Sequence, residues 1–389
     1  MAESVTRRSL IEFGVAGAAA MMAGRAGAQG GLPDRDRIGF ALVGLGKLTL
    51  GELVPAFKST RVAKLTGLVS GSPEKARRVA GEQGLPADAI YSYADYDRIV
   101  RDPRIQVVYI VLPSSMHAEY TIRALKAGKH VLCEKPMATT VADCEAMIAA
   151  AKAANRKLMI AYRCLTEPLN LAAMREVRSG RLGKTRLVVT EMTRQASLDD
   201  PSDVWRLDKT MSGGGALLDM GIYGVNASRY LLNEEPVEVR AWSNTDKSDP
   251  RFKTVEDLYA WQFRFPSGAI AEGSTSFSAS AQMGYRVVGA QRRLVADPGC
   301  FYGGNKLSIV DGGRRQDVPI TEIDQFAREM DWMADVVRGK APLLAPGEEG
   351  LQDIRLIQAI MASAAAGGRT IRTDFGYRRA VDPAEAVRS

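Results

Sequence analysis

Several residue types that mark particular classes of protein are scarce in this chain of 389 residues. It has two histidines and four cysteines, and the cysteines form no CxxC pair and no zinc-ligand spacing with histidine. This excludes the common metal-site patterns, and no metal is predicted. Cys133, Cys144, Cys164 and Cys300 stand in apolar or mixed runs that suit a buried core, so we assign them no role.

A strong excess of basic charge is also missing. Lysine and arginine number 52 against 45 acidic residues, and they are scattered rather than gathered into a stripe. Proteins that follow a nucleic-acid backbone need such a stripe, so no nucleic-acid partner is predicted. The chain has no internal repeat and no low-complexity linker, and its length favours two domains.

The N-terminus contains the three successive elements of a twin-arginine signal peptide. Residues 6–11 read TRRSLI, an apolar stretch follows at 13–24, and small residues stand at 26–28. The apolar stretch is too short to span a hydrocarbon core of ~30 Å, so no membrane anchor is predicted. We predict a signal peptide at 1–28, cleavage after Ala28 and a periplasmic protein. Because this route exports folded proteins, which usually hold a cofactor, a cofactor is implied.

Residues 37–161 alternate short apolar runs with amphipathic helical stretches, the pattern of βαβ units in a parallel sheet. Strands are predicted at 38–43, 63–69, 107–112, 130–133 and 157–162, and helices at 73–83, 118–127 and 141–155. We therefore predict an NADP-binding Rossmann domain, α/β with a doubly wound parallel sheet, preceded by an N-terminal arm at 29–36.

The pattern changes at about residue 162 to longer strands of period two. These are predicted at 186–193, 237–244, 258–265, 269–278, 285–289, 293–297 and 306–310, with a hairpin turn at 266–268 and helices at 325–338 and 350–365. The predicted C-terminal domain, 162–389, is α+β, with a large open mainly antiparallel sheet for substrate binding and oligomerisation.

A dinucleotide site is indicated where the first strand turns into a helix. Gly44 permits a tight turn and Gly46 lets a pyrophosphate approach the backbone, although Thr49 stands where Gly or Ala is usual. The second strand ends without the acidic residue that receives the ribose of NAD. Ser70 can donate a hydrogen bond there and Lys75 supplies positive charge, so NADP is favoured.

Two further segments have residues suited to proton chemistry. The strand predicted at 130–133 leads into Glu134-Lys135-Pro136, and the carboxyl ends of such strands face the ligand, so Lys135 is expected beside the nicotinamide. Three glycines at 213–215 lead into Asp219 and Tyr223, whose four-residue spacing places them on one face of a helix.

Together these motifs resemble the Gfo/Idh/MocA dehydrogenases over essentially the whole mature chain. The resemblance includes Pro113 and His117 after the strand predicted at 107–112, and the segments 127–131, 134–136 and 213–223. Most of the family has His where this chain has Tyr223. The tyrosine is shared with the glucose–fructose oxidoreductase branch. Further segments of this chain also resemble that branch, namely 68–71, 137–139, 205–207, 229–232 and 346–350.

The resemblance implies roles for individual residues. Lys135 and Tyr223 would be catalytic, and Asp219, Tyr162 and Arg206 would bind the sugar. The residues implied in binding NADP are Gly44, Leu45, Gly46, Lys47, Leu48, Ser70, Gly71, Lys75, Leu112, Pro113, His117, Glu134, Lys135, Arg163, Trp205 and Arg206. Leu165 departs from the branch, which has a basic residue there, and this leaves the sugar preference open.

The expected activity follows from the predicted compartment and the resemblance. A free tyrosine has a pKa near ~10, so the Lys135 ammonium is expected to stabilise the Tyr223 phenolate. Since the periplasm has no NADP pool, we expect an aldose to be oxidised at C1 to a lactone and a second sugar to be reduced in a ping-pong cycle. The alternatives are an exported NAD(P)-dependent glycosidase, an ordinary sugar dehydrogenase, or a non-enzymatic sugar sensor.

A homodimer or homotetramer is predicted from the open sheet. Apolar residues alternate along one predicted strand at Tyr259, Trp261, Phe263 and Phe265. We expect these side chains to form a surface that pairs with a second copy of the chain.

Overall fold

The computed structural model describes residues 31–387. The predicted signal peptide, its cleavage point and the start of the predicted arm lie outside the described residues. The described part of the arm runs beside the start of the second strand, where Leu32 donates a backbone hydrogen bond to Arg61 and Lys64 pairs with Asp34.

The first sheet has six parallel strands in the order β3-β2-β1-β4-β5-β6. They are β1 (Ile38–Val43), β2 (Ala63–Val69), β3 (Ile90–Tyr91), β4 (Val107–Ile110), β5 (His130–Glu134) and β6 (Leu158–Ala161). The predicted doubly wound sheet is confirmed. The strand order reverses between β1 and β4, and ligands bind outside the carboxyl ends of the strands at such a switch point.

Helices connect these strands: α1 (Val54–Ala56), α2 (Pro73–Glu82), α3 (His117–Lys126) and α4 (Val141–Ala154). Their ends have local causes. Ser72 caps α2 by accepting from the Lys75 backbone N–H, and Thr140 caps α4 through Asp143. Asn155 ends α4 in the left-handed conformation, with φ of 50°.

The second sheet has nine strands, in the order β14-β13-β12-β11-β7-β10-β9-β8-β15. They are β7 (Thr185–Gln195), β8 (Glu238–Asn244), β9 (Leu258–Arg264), β10 (Ile270–Ser276), β11 (Ser278–Gly289), β12 (Arg292–Ala296), β13 (Leu307–Asp311), β14 (Arg314–Val318) and β15 (Ile371–Arg372). Neighbouring strands are antiparallel except β7 and β10, which pair in parallel. The mainly antiparallel sheet is confirmed, while β14, β15 and the parallel pair were not predicted.

The remaining helices are α5 (Pro168–Arg178), α6 (Pro201–Val204), α7 (Lys209–Ser212), α8 (Ile222–Leu232), α9 (Gln325–Val337), α10 (Gly347–Ala365) and α11 (Pro383–Ala386). None of the helices between residues 31 and 387 combines the length and apolar character that a membrane span requires.

The two late helices α9 and α10 tie the second domain to the first sheet. The Asp331 carboxylate of α9 accepts backbone hydrogen bonds from residues 61–63, at the start of β2. In α10, a Cβ on Gly350 would stand 2.8 Å from Met137 and 3.0 Å from Ile160, so glycine allows this helix to approach β6 closely. From Leu32 onward the chain is one compact unit.

The aromatic residues of β9 do not form an outer surface. Tyr259, Trp261, Phe263 and Phe265 are each at most 4% exposed, because they point toward the helices that cover the inner face of the sheet. These four side chains therefore do not form the predicted surface for a second copy of the chain. The outer face of the same sheet exposes Trp242 instead.

Candidate active site and cofactor cleft

The turn after β1 leaves room for a phosphate close to the backbone. Gly44 has φ of +96°, and a Cβ there would stand 2.3 Å from the carbonyl oxygen of Val111, so only glycine fits. A Cβ on Gly46 would meet no atom within 4 Å, so this residue faces open space. The Thr49 hydroxyl donates to the Gly44 carbonyl over 2.6 Å and stabilises the turn. These features fit the pyrophosphate of a dinucleotide.

The end of β2 has the character expected for an NADP site. Ser70 is 6% exposed, and its hydroxyl oxygen accepts from the Ser72 backbone N–H over 3.1 Å. Gly71 follows it and brings the chain to the start of α2. The Lys75 ammonium donates to the Leu45 carbonyl over 3.2 Å, so its charge lies between β2 and the glycine turn. A 2′-phosphate on an adenosine ribose bound there would meet a cation rather than a carboxylate.

The predicted contact between His117 and a cofactor is not available through its ring in this arrangement. The two ring nitrogens lie 2.8 Å from the Leu112 carbonyl oxygen and 2.9 Å from that of Pro136. His117 is 1% exposed. It braces the segments that follow β4 and β5, including Pro113, and thereby shapes the floor of the cleft.

Lys135 follows β5 and reaches the second domain. Its Nζ donates to the Asp219 backbone carbonyl over 2.8 Å and lies 3.2 Å from the Asp219 carboxylate. The same ammonium stands 4.8 Å from the ring centroid of Tyr223. Asp219 belongs to a π-helical turn, Leu217–Gly221, that leads directly into α8 and Tyr223. The structure thus brings the predicted catalytic residues together at the carboxyl end of the parallel sheet.

Three cations surround the Asp219 carboxylate, whose side chain is 16% exposed. Besides Lys135, Arg206 Nε lies 3.1 Å and an Arg194 nitrogen 3.4 Å from its second oxygen. Burial acts to raise the pKa of Asp219, but the charges of the three cations hold it well below its ordinary value. Asp219 is therefore ionised at neutral pH and can only accept hydrogen bonds.

Arg194, at the end of β7, was missed by the sequence reasoning. Its guanidinium makes two hydrogen bonds to the Asp203 carboxylate, of 2.9 and 2.8 Å, while it also reaches Asp219. No local sequence pattern distinguishes Arg194 from other arginines on exposed strands. Only the return of the chain over the end of β7 places Asp203 beside it.

The guanidinium of Arg163 lies between two tyrosine rings. Its central carbon is 5.1 Å from the Tyr223 centroid and 4.8 Å from the Tyr302 centroid. It donates hydrogen bonds to the Cys300 and Phe301 carbonyls and to the Gln325 side-chain oxygen. Arg163, predicted to bind the cofactor, thus places its charge beside Tyr223, the predicted catalytic tyrosine.

Burial raises the pKa of the Tyr223 phenol above its ordinary value, and the charge and hydrogen bond of Arg163 lower it in part. Arg163 is therefore a second cation that acts on this phenol, besides Lys135, which the sequence suggested.

Glu134 ends β5 in a buried polar cluster with Glu329 of α9. The Tyr109 hydroxyl donates to Glu134 over 2.8 Å and lies 3.3 Å from Glu329. Burial raises the pKa of both carboxyl groups. The second Glu134 oxygen accepts from the Lys135 backbone N–H over 3.2 Å, so Glu134 fixes the direction of Lys135.

Two small clefts lie beside Lys135, Asp219 and Tyr223. One is lined by Lys135, Tyr162, Cys164, Tyr223, Asn226 and Tyr230. The other is lined by Ser114, Pro136, Trp205, Arg206, Ser212 and Asp219. In the second cleft the Arg206 guanidinium stacks 4.3 Å from the Trp205 ring, which holds it toward Asp219.

Tyr162 is positioned to reach a sugar only through the first cleft, because it is 7% exposed. Leu165, where the family resemblance led us to expect a basic side chain near the site, is 1% exposed and packs in the core. Leu45 is also buried, whereas Lys47 is exposed beside the glycine turn and Leu48 is partly buried. The contacts of these residues with ligands stay predictions.

Comparison with known proteins agrees with this architecture. The family profile "Oxidoreductase family, NAD-binding Rossmann fold" matches residues 38–162, and the GFO/IDH/MocA C-terminal domain profile matches residues 171–295. Aldose–aldose oxidoreductase from Caulobacter crescentus, solved with glycerol, is 42% identical with a TM-score of 0.83, over 86% of this chain and 99% of that one.

Two curated relatives extend the comparison. D-xylose 1-dehydrogenase [NADP(+)] of Haloarcula marismortui is 32% identical over 339 residues, 86% of this chain and 93% of the relative. The 1,5-anhydro-D-fructose reductase of Ensifer adhaerens is 26% identical over 332 residues, 84% and 96% of the two chains. The chain matches these proteins over nearly their whole length in both domains, and it belongs to the Gfo/Idh/MocA family of oxidoreductases.

Proposed function

We propose that this protein is a periplasmic sugar oxidoreductase with tightly bound NADP(H). It oxidises an aldose at C1 to a lactone and reduces a second sugar in a ping-pong cycle. The observation that carries the proposal is the convergence of Lys135, Asp219 and Tyr223 at the carboxyl end of the parallel sheet. The similarity to an aldose–aldose oxidoreductase over 99% of that chain supports the same substrate class.

The preference for NADP rests on the end of β2 and on one relative. Lys75 places a positive charge beside the glycine turn, and no acidic residue stands at 70–72. A 2′-phosphate would be favoured there. The D-xylose dehydrogenase at 32% identity is named for NADP(+), which supports the same choice.

The bound nicotinamide would supply the hydride acceptor for the first sugar and the hydride donor for the second. Tyr223 takes the proton of the anomeric hydroxyl and later returns it to the carbonyl oxygen of the second sugar. Asp219, held ionised by its three cations, accepts a hydrogen bond from a sugar hydroxyl and fixes the ring. Lys135 is anchored through Asp219 and places its charge beside the Tyr223 ring. Two electrons and two protons pass from one sugar to the other with no net release.

The predicted export of the protein supports the proposed ping-pong cycle. The predicted signal at 1–28 would deliver the folded protein to a compartment without an NADP pool, so the cofactor must be regenerated where it is bound. An ordinary sugar dehydrogenase is the second candidate, because one of the reported relatives is a D-xylose 1-dehydrogenase. The two candidates differ in whether the nucleotide leaves between turnovers.

The test begins with protein purified without added nucleotide. Mass spectrometry after denaturation should find NADP(H), and one aldose alone should reduce the bound nucleotide once. A second sugar should then restore the original absorbance without added NADP. Protein that carries only NAD, or that turns over only when free NADP is supplied, would contradict the proposed cycle.

We also propose a homodimer or homotetramer. The outer face of the second sheet exposes Trp242, Leu258 and Ile270, which are 50%, 37% and 42% exposed on neighbouring strands. Burial of this face against a second copy would remove these apolar side chains from water. Light scattering should give a mass of two or four chains, and a monomer at micromolar concentration would rule this out.

A further inference from the structure

Residues 196–206, which include α6, form a folded segment between β7 and α7. The segment is attached to the second sheet by Asp203, whose side chain is 8% exposed. The Asp203 carboxylate accepts two hydrogen bonds from Arg194 and one of 3.0 Å from the Ser197 backbone N–H. Because Arg194 also reaches Asp219, the segment is attached to the centre of the active site.

The same segment meets the first domain at two separate places. At one, the Asp200 carboxylate lies 2.7 Å from the Lys47 ammonium, in the turn that follows β1. At the other, Trp205 and Arg206 share the walls of a cleft with Ser114 and Pro136, which follow β4 and β5. The segment therefore runs along the carboxyl edge of the parallel sheet, from the pyrophosphate turn to the nicotinamide end.

We propose that residues 196–206 form a clasp that retains the bound nicotinamide cofactor, closed over the glycine turn by the Lys47–Asp200 ion pair. This inference rests on the proposed function, in which the nucleotide stays bound through both half-reactions. A dinucleotide lying along the edge has the clasp above it, and it can leave only after this pair has separated. Asp200 would otherwise repel a pyrophosphate, and Lys47 offsets that charge.

The ion pair is exposed, with 72% of the Lys47 side chain and 34% of the Asp200 side chain accessible to water. Exposed pairs of this kind are weak, so its loss should accelerate release of the nucleotide by only about 1.5- to 5-fold. Salt screens such pairs, and the difference should disappear at high ionic strength.

The test measures release of NADPH from the full-length protein, by its fluorescence, after dilution into excess NADP+. Asp200→Asn should release NADPH faster than the parent protein at low salt. Asp199→Asn is the matched control, because it removes the same charge one residue away and Asp199 is exposed with no ion pair in the described chain. In a Lys47→Met background, Asp200→Asn should add no further acceleration.

Equal release rates for Asp200→Asn and Asp199→Asn at low salt would overturn the clasp. So would an undiminished effect of Asp200→Asn in the Lys47→Met background. The proposed function fails separately, if the purified protein holds no NADP(H). The same assay on protein loaded with added NADPH still tests the clasp in that case.

Discussion

Replacement of Arg163 by glutamine tests which cation controls the proton chemistry of Tyr223. Arg163 is 3% exposed, and its guanidinium lies 5.1 Å from the ring of Tyr223. Glutamine keeps a hydrogen-bond donor and removes the charge. We expect the first half-reaction, reduction of the bound nucleotide by an aldose, to slow at a fixed neutral pH because the phenolate loses a stabilising charge.

The size of the effect follows from the distance. The guanidinium carbon lies 5.1 Å from the centroid of the Tyr223 ring, and two unit charges at that separation interact with about 3 kcal/mol at an effective dielectric constant of about 20. That free energy limits the loss of rate to about 200-fold. A phenolate of higher pKa is a stronger base and, once formed, accepts the proton more readily. This offsets part of the loss, so we expect a decrease in rate of about 10- to 100-fold.

Stopped-flow absorbance of the reduced nicotinamide measures this rate. Arg163→Lys is the matched variant, since it keeps the charge but loses the fork of hydrogen bonds to residues 300, 301 and 325. Its rate should stay within a few-fold of the parent, and thermal unfolding of both variants reports any loss of structure. Equal rates for the glutamine and lysine variants would refute the assignment of this role to the charge of Arg163.

Two further predictions address catalysis and stability. Tyr223→Phe should lower the rate of sugar oxidation by about 10²- to 10⁴-fold with little change in apparent sugar affinity, and Lys135→Met should be non-additive with it in single-turnover measurements. Burial acts to raise the pKa of Asp102, but hydrogen bonds from Arg104 and Tyr91 lower it to about 2. Its contribution to stability is therefore complete above the ordinary carboxyl pKa of about 3.9 and is lost as the pH falls toward about 2. Urea unfolding at several acidic pH values should show this loss in the parent protein, and the same pH dependence in Asp102→Asn would contradict it.

The sequence was most informative where structure depends on near neighbours. Alternation of apolar runs and amphipathic helices placed the strands of the first sheet to within a few residues, because side chains on strands and helices face the core with fixed periods. The helix Pro168–Arg178 was not predicted. The two-residue strands β3 and β15 were also not predicted, since they are too short to show a period.

The inward direction of Tyr259 and its neighbours shows the limit of periodicity. Alternation along a strand separates two faces but does not say which one the helices of the same chain will cover. Packing of α8 and α10 on the inner face decided this, and the side chains predicted to pair with a second subunit are therefore buried within the chain.

The residues of the candidate active site also fall into two groups, those that the sequence could place and those that only the tertiary structure placed. The sequence by itself determined the glycine turn, the position of Lys135 after a buried strand, and the pairing of Asp219 with Tyr223, because each depends on a few consecutive residues. Only the tertiary structure placed Arg163 beside the Tyr223 phenol and Arg194 beside Asp219. These contacts join segments far apart in the chain, and the field of a buried charge depends on distance and burial, which no local pattern of residues contains.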